Sequence, residues 1–477
     1  MMIVLANPPY SFWSPAKSYL RPLIGTLPSL GILSLAAHLR REGQAVKVVE
    51  AASRGLTFAA TLEEILREKP GFVGFSCPTS SVENAARLAR AIKEVSPGCR
   101  TLIGGPHLTA LPEETLRRFP AFDFGISGEG EDALLDLLQT IEGRGELAKV
   151  GSAVFREEGT IRVNPRRGFI EELDRLPFPA FDLLPNFPDG YRPGFLNYLK
   201  GPTASVASSR GCPQICTFCD RSVFGNRYRY FSEEYLFELI ADLHRRFGIR
   251  HLIFADDQFA ASKPRLLRLC EKLARENLPI RWNCDARVDS VDQESLKAMK
   301  RAGCWMISYG IESGSPEILA EIQKGLDPDQ VEQGIRWTQE AGIRPKGLFM
   351  LGYPNETRKT IRQTLELLRR CPFAEINLSF LTPYPGTEIY RRIKDTPGFE
   401  EDWARMNALN RMITPQALSG RELEKAYGEI IRSFYMRPGI TLSYLRLLLQ
   451  SPENISRLGA VFSNWVGAKI MGRRESA

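Results

Sequence analysis

The run Ser208-Ser209-Arg210-Gly211-Cys212-Pro213-Gln214-Ile215-Cys216-Thr217-Phe218-Cys219 decides how this chain is read. It places three cysteines, spaced C-x3-C-x2-C, on one short loop directly after an apolar stretch, 204–208, that reads as a strand. Three thiolates at this spacing can each hold one iron of a cubane [4Fe–4S] cluster. No fourth cysteine follows, so one iron is left open to another ligand. Two plainer readings are a structural zinc site and chance. Structural zinc wants four protein ligands, and the nearest further Cys or His is His244, well along the next helical segment.

Working outward, strand-like runs recur near 204–208, 251–255, 281–283, 305–310, 344–350 and 376–381. Helical patterns lie between them, such as 232–247, with Ser232 placed as a cap and Glu234 and Glu238 early in the helix. Six strand–helix units predict a partial (β/α)6, TIM-like barrel with its chemistry at the C-terminal strand ends. Asp256 and Asp257 follow the second strand, Arg287 the third, and Glu312-Ser313-Gly314-Ser315 the fourth. Each is also readable as an ordinary polar loop or cap, and Ser315-Pro316-Glu317 looks like a helix start in its own right.

Residues 1–145 alternate short strands (2–6, 45–49, 71–76, 100–103 and 122–126) with amphipathic segments such as 81–95. That alternation predicts an α/β, doubly wound parallel sheet, whose ligands sit beyond the carboxyl ends of the strands. The loops there are small and rich in glycine or hydroxyl groups: Ser76-Cys77-Pro78-Thr79-Ser80, Gly104-Gly105-Pro106-His107 and Ser127-Gly128-Glu129-Gly130-Glu131. Residues 146–200 read as a connector, with a hairpin about Glu157-Glu158-Gly159 and a proline-dense run, Leu176-Pro177-Phe178-Pro179, that forbids regular structure. The barrel is assigned to 201–390 and a helical C-terminal region to 391–477. In the last stretch six basic residues (Arg437, Arg446, Arg457, Lys469, Arg473, Arg474) face two acidic ones (Glu453, Glu475). Leu447, Leu448, Leu449, Val461, Phe462, Trp465 and Ile470 look exposed there. A tail helix packed on the barrel and a surface helix touching anionic lipid or a lipid-like substrate both fit.

A chain of 477 residues with net charge +7, from 63 basic and 56 acidic residues, implies two to three domains and argues against nucleic acid as partner. Apolar runs are too short to span a bilayer. The six other cysteines (Cys77, Cys99, Cys270, Cys284, Cys304, Cys371) show no tight spacing, so a reducing cytoplasm is expected. Cys304 reads as core, and His38 as a helix-surface residue.

The cysteine loop, with Phe218 in the C-x3-C-x-aromatic-C position, resembles that of the radical S-adenosylmethionine (SAM) superfamily. Gly310-Ile311-Glu312-Ser313-Gly314, Asn283-Cys284-Asp285-Ala286-Arg287-Val288-Asp289 and Leu381-Thr382-Pro383-Tyr384-Pro385-Gly386-Thr387 are similar to its strand ends. The first 145 residues, through the Gly104 and Gly128 loops, resemble the cobalamin-binding domain fused before such barrels. One departure is the missing Asp-x-His-x-x-Gly loop whose His ligates cobalt. The resemblance covers about residues 1–390 and implies three cofactors: a [4Fe–4S] cluster on Cys212, Cys216 and Cys219, SAM and cobalamin. It implies SAM contacts from Phe218, Asp256, Asp257, Arg287, Glu312 and Ser313. For cobalamin it implies Ser76, Thr79, Ser80, Gly104, Gly105, Pro106, His107, Gly128, Glu129 and Gly130. The activity implied is a methyltransferase acting on an unactivated carbon through a 5′-deoxyadenosyl radical and methylcobalamin, with a small-molecule or lipid-like substrate and a flavodoxin- or ferredoxin-type electron donor. The alternatives are a cyclase or rearrangement enzyme on a lipid-like or tetrapyrrole substrate, and a cofactor-binding sensor. Residues that touch the substrate carry no motif.

Overall fold

The computed structural model describes residues 1–9, 25, 27–194, 197–199, 201–396, 399–450 and 455–456. Two sheets organise it. The first holds β1 (Met2–Asn7), β2 (Ala45–Glu50), β3 (Phe72–Ser76), β4 (Arg100–Gly104), β5 (Phe124–Ile126), β6 (Ala153–Glu157) and β7 (Thr160–Val163), in the order β2-β1-β3-β4-β5-β6-β7. Strands β1 to β5 run parallel, while β6 and β7 form an antiparallel hairpin added at the β5 edge. The expected hairpin is therefore present, and it extends the first sheet as far as Val163.

The near-continuous apolar run of β1 follows from burial on both faces, as in any parallel sheet covered by helices. Ile3 and Leu5 pack with Leu33 and Leu134 on one face. Val4 and Ala6 pack with Ala85, Leu88 and Ile92 of the helix Val82–Val95 on the other. Order 2-1-3-4-5 puts the topological switch between β1 and β3, and a ligand crevice above it.

The second sheet is built from β8 (Thr203–Val206), β11 (His251–Phe254), β12 (Arg281–Ala286), β13 (Cys304–Glu312), β14 (Arg344–Leu351) and β15 (Glu375–Phe380). All neighbours are parallel, and the order β15-β14-β13-β12-β11-β8 puts β8 and β15 at the two edges, with no strand pairing them to each other among the described residues, so the barrel is open. A two-residue ladder, β9 (Ser209–Arg210) with β10 (Arg229–Tyr230), sits at the cysteine loop. Ser232 caps the helix Glu233–Phe247, accepting from the Tyr235 amide.

The connector joins the two units through one core: Leu176, Ala180, Phe181 and Leu184 share a cluster with Leu33 and Leu236. It also covers the outer side of the helix Leu30–Arg41, where the Ala180 amide donates to the Leu33 carbonyl. This corrects the reading of His38, which is 2 % exposed and meets Asp132 at 3.5 Å. A helix covered from two sides has no free face at that position.

Residues 399–419 are mostly irregular, not helical as the sequence suggests, and return to the first domain, where Trp403 and Met406 join its core. Two helices follow, Gly420–Tyr435 and Pro438–Gln450. On the last, Leu447 packs against Trp305 and Met306, so it is core and not surface. Leu449 is exposed. Glu453, Arg457, Val461, Phe462, Trp465, Lys469, Ile470, Arg473, Arg474 and Glu475 lie outside the described residues. Among the described residues no helix is long and apolar enough to cross a membrane.

Candidate active site

The strand ends of both sheets open onto one cavity of about 820 Å³. Cys212, Cys216 and Cys219 line it from the barrel side, and Ser76, Gly104, Gly105, Pro106, Gly128 and Gly130 line it from the first domain.

The cysteine loop is held by backbone contacts from three elements. Gly211 has φ +83, and a Cβ there would lie 2.2 Å from the Arg227 carbonyl oxygen, so only glycine lets the chain turn from β9 into Cys212. The Thr217 amide donates to the Ile322 carbonyl at 3.1 Å, and the Ile389 amide donates to Thr217 at 3.0 Å. Gly386, in the sequence-selected Pro385-Gly386-Thr387 run, packs directly on Asp220 just past the loop.

The loop's electrostatics favour a thiolate at Cys216. A hydrogen bond with Cys219 pulls the Cys216 thiol down to about 6; burial opposes this, and Lys324 and Arg287 add to it. Cys219 is pushed up by the same pairing, so the first proton leaves the pair easily and the second does not. Burial raises Cys212. Three cysteines facing a cavity beside two cations fit a cluster that needs deprotonated sulfur ligands.

Arg287 is clamped by Asp289 at 2.9 and 2.7 Å and by the Lys324 carbonyl at 2.7 Å. Its remaining Nη1 is buried and has no partner. A buried, oriented, unused guanidinium donor at the cavity fits a carboxylate ligand such as that of SAM. Glu312 follows a register shift in β13 and has φ +72, a strained value for glutamate. It accepts from Lys324 Nζ at 2.9 Å. Burial works against the Lys324 charge, but Glu312 and Cys216 outweigh it and the ammonium is held charged. Its Nζ also lies 5.7 Å from the Phe218 ring centre. Asp257 faces the cavity, its carboxyl raised by burial and lowered in part by the Gly211 amide.

Other expected contacts are either engaged by protein partners or lie away from the cavity. Asp256 lines the cavity, but its carboxylate is engaged by the segment from the end of β8 into β9: it accepts from the Ser208 amide at 3.1 Å, from the Ser208 hydroxyl at 2.7 Å and from the Ser209 hydroxyl. The Ser313 hydroxyl, 1 % exposed, accepts from the Ser315 amide and meets Thr364, away from the cavity. Thr79, Ser80 and His107 do not line it either. His107 turns to the opposite side, edge-on to Trp403 at 4.4 Å, with Nδ1 3.2 Å from the Thr79 hydroxyl. Burial drives its imidazole down to about 3. Glu129 lines the cavity, but both its oxygens are taken by Arg210, Arg229 and the Ile170 amide.

Lys324, Arg210 and Glu131 are functional candidates that sequence reasoning missed. Lys324 lies in a turn twelve residues past its partner Glu312, with no periodicity or motif to mark it. Arg210 and Glu131 stand inside the runs that were selected, but their pairing joins two domains and has no local signature.

The cobalamin side also fits a large planar ligand. Its glycines leave backbone bare, and the cavity continues as an apolar slot between β1, β3, β4 and β5 and the flanking helices, lined by Leu5, Gly74, Leu102, Ile126, Leu35 and Leu134.

The Radical SAM superfamily model matches residues 206–368, and the B12 binding domain model matches residues 17–138. An uncharacterised methyltransferase of Pyrococcus horikoshii is 31% identical over 431 residues, covering 90% of this chain and 92% of that protein. The anaerobic magnesium-protoporphyrin IX monomethyl ester cyclase of Rubrivivax gelatinosus is 26% identical, covering 87% of this chain and 75% of the cyclase. The fold is similar to that of the radical SAM methyltransferase TsrM of Kitasatospora setae, solved with cobalamin and a [4Fe–4S] cluster bound. There the TM-score is 0.71, with 17% identity and coverage of 92% of this chain and 89% of that one. The chain belongs to the cobalamin-binding radical SAM enzyme family, with a [4Fe–4S] cluster, SAM and cobalamin as its cofactors.

Proposed function

We propose that the enzyme methylates an unactivated carbon of a small or lipid-like molecule. One observation carries this reading: the cluster loop and the cobalamin wall share a single cavity, so a substrate between them meets both cofactors without leaving. When bound, the cluster with SAM supplies a 5′-deoxyadenosyl radical, and cobalamin supplies a methyl carrier.

The chain's own residues bind and orient. Cys212, Cys216 and Cys219 hold three irons. Arg287 Nη1 takes the SAM carboxylate, Phe218 lies against its adenine, and Glu312 and Asp257 accept from its ammonium and ribose hydroxyls. Lys324 holds Glu312 in place through its 2.9 Å hydrogen bond. Asp256 braces the segment Ser208–Ser209 that leads from β8 into the cluster loop. Ser76, Gly104, Gly105, Pro106, Gly128 and Gly130 form the cobalamin wall. A flavodoxin- or ferredoxin-type donor and a cytoplasmic setting accompany this assignment.

The test is product stoichiometry under reducing, anaerobic conditions with methyl-labelled SAM. Methyl transfer requires S-adenosylhomocysteine and 5′-deoxyadenosine to accumulate together and the label to reach product. Unlabelled product with 5′-deoxyadenosine alone would establish the cyclase reading, which the Rubrivivax relative keeps open.

A further inference from the structure

Between the two cofactor-facing loops lies a buried quartet of charges that none of the roles above uses. Arg210 Nη1 donates to Glu129 at 2.6 Å, and Arg210 Nη2 donates to Glu131 at 2.6 Å. Arg229 Nη1 donates to the second oxygen of Glu129 at 2.8 Å and to the Ile170 carbonyl at 2.7 Å. Ser34 donates to Glu131 at 2.9 Å. All four charged side chains are at most 10 % exposed. Two positive and two negative groups make the set neutral, as burial of charge demands.

Its placement matters more than its strength. Arg210 and Arg229 face each other across the β9–β10 ladder. Arg210 stands two residues before Cys212, and Gly211 between them has a turn that tolerates no side chain. Glu129 and Glu131 alternate with Gly128 and Gly130, which wall the cobalamin side of the cavity. Glu131 also opens the helix Glu131–Ile141, where the helix N-terminus favours a negative charge. One planar guanidinium therefore spans two carboxylates of the first domain while its own backbone leads directly into the cluster loop. An ammonium cannot make that two-armed contact.

We propose that Arg210 is a positioning residue that fixes the separation of the cluster from the cobalamin. Glu129, Glu131 and Arg229 complete the brace. With it closed, the two cofactors keep one spacing across the shared cavity. With it loosened, both still bind, but their spacing spreads. The proposal rests on the two-cofactor assignment, and iron and cobalt contents test that assignment separately.

The experiment uses the full chain loaded with cluster and cobalamin, anaerobic, reduced and without substrate. The readout is the acceleration of cob(II)alamin spin relaxation by the reduced cluster, which depends steeply on their distance. Wild type should give one well-defined enhancement. R210K keeps the charge but not the two-armed reach, and should keep wild-type iron and cobalt contents while losing that single enhancement. R227K changes an exposed ion pair with Glu171 on the same segment and should leave it intact. E131Q, which preserves shape and leaves Glu129 to Arg210, is measured in the same way and covers failure of R210K to fold. An unchanged enhancement in whichever of R210K and E131Q folds overturns the proposal. So does loss of iron or cobalt from R210K, since Arg210 would then hold a cofactor and not a spacing.

Discussion

The two walls of the cavity do different work with different residues. The barrel wall presents directed charge and sulfur: three cysteines, Arg287, Lys324, Glu312 and Asp257. The first-domain wall presents bare backbone and hydrocarbon: Gly104, Gly105, Gly128, Gly130, Leu5, Leu102 and Ile126. Its two carboxylates, Glu129 and Glu131, are already neutralised by arginines. A small charged ligand is fixed by a few groups, each of which matters. A large corrinoid is fixed by area and shape, to which each residue adds little. Substitutions should therefore fail abruptly on one wall and gradually on the other.

The largest effect belongs to the sulfur ligands. Cys212→Ala, Cys216→Ala or Cys219→Ala should each abolish the cluster and all SAM cleavage. Cys284 and Cys304 are buried and do not line the cavity, so they cannot stand in. Anaerobic iron analysis should give about four irons per chain in wild type. Full SAM cleavage by any of the three variants would remove the cluster from this loop.

Arg287→Gln comes next. It removes the unpaired Nη1 and the clamp on Asp289 together. Loss of a charge-assisted hydrogen bond costs about 1.5–3 kcal/mol, roughly a 10- to 150-fold weaker SAM affinity by calorimetry on cluster-loaded protein. Undiminished SAM binding would move the carboxylate site elsewhere, Lys324 being another cation on the same wall.

On the other wall, Gly105→Ala should act by shape. Gly105 has φ +92, and a Cβ there would lie 2.8 Å from the Cys77 amide nitrogen. The strain, about 1–3 kcal/mol, should shift the β4 loop and weaken cobalamin retention while leaving iron content untouched. Equal loss of iron and cobalt would show that the walls are not independent.

The same contrast explains what could be read from sequence. The cysteine spacing is local: three ligands on one loop need no knowledge of the fold. The six barrel strands follow from alternation, and each lies within a few residues of its expected place. Local reading fails where a side chain is claimed by a distant partner. Asp256 lines the cavity at a strand end as expected, yet Ser208 and Ser209, between β8 and the cluster loop, engage its carboxylate in a way no local pattern shows. His107 stands in a ligand-type loop, but a residue some three hundred positions later, Trp403, draws its ring to the other side. His38 was misread because two layers, and not one, cover its helix. Lys324 could not be found at all, since only folding brings it to Glu312.

The smallest expected effect is also the most specific. The chain has four histidines, His38, His107, His244 and His251, and none lines the cavity. His38 is engaged by Asp132 and Arg41. His107 faces Trp403, His244 contacts the Ile249 carbonyl, and His251 pairs with the Trp305 indole at 2.7 Å. Burial holds His107 and His251 neutral at about 3, but a free lone pair without access cannot reach cobalt. Cobalamin should therefore bind with no protein imidazole on the metal. Preparing the chain with 15N-labelled histidine should leave the nitrogen hyperfine pattern of bound cob(II)alamin unchanged, because any coupling comes from the unlabelled cofactor. His107→Ala should likewise keep the cobalt spectrum, whatever it costs the packing around Trp403. A hyperfine change on histidine labelling would require the His107 loop to turn over into the cavity. The first-domain wall would then contribute a directed ligand after all, and the division between shape on one side and charge on the other would fail at its centre.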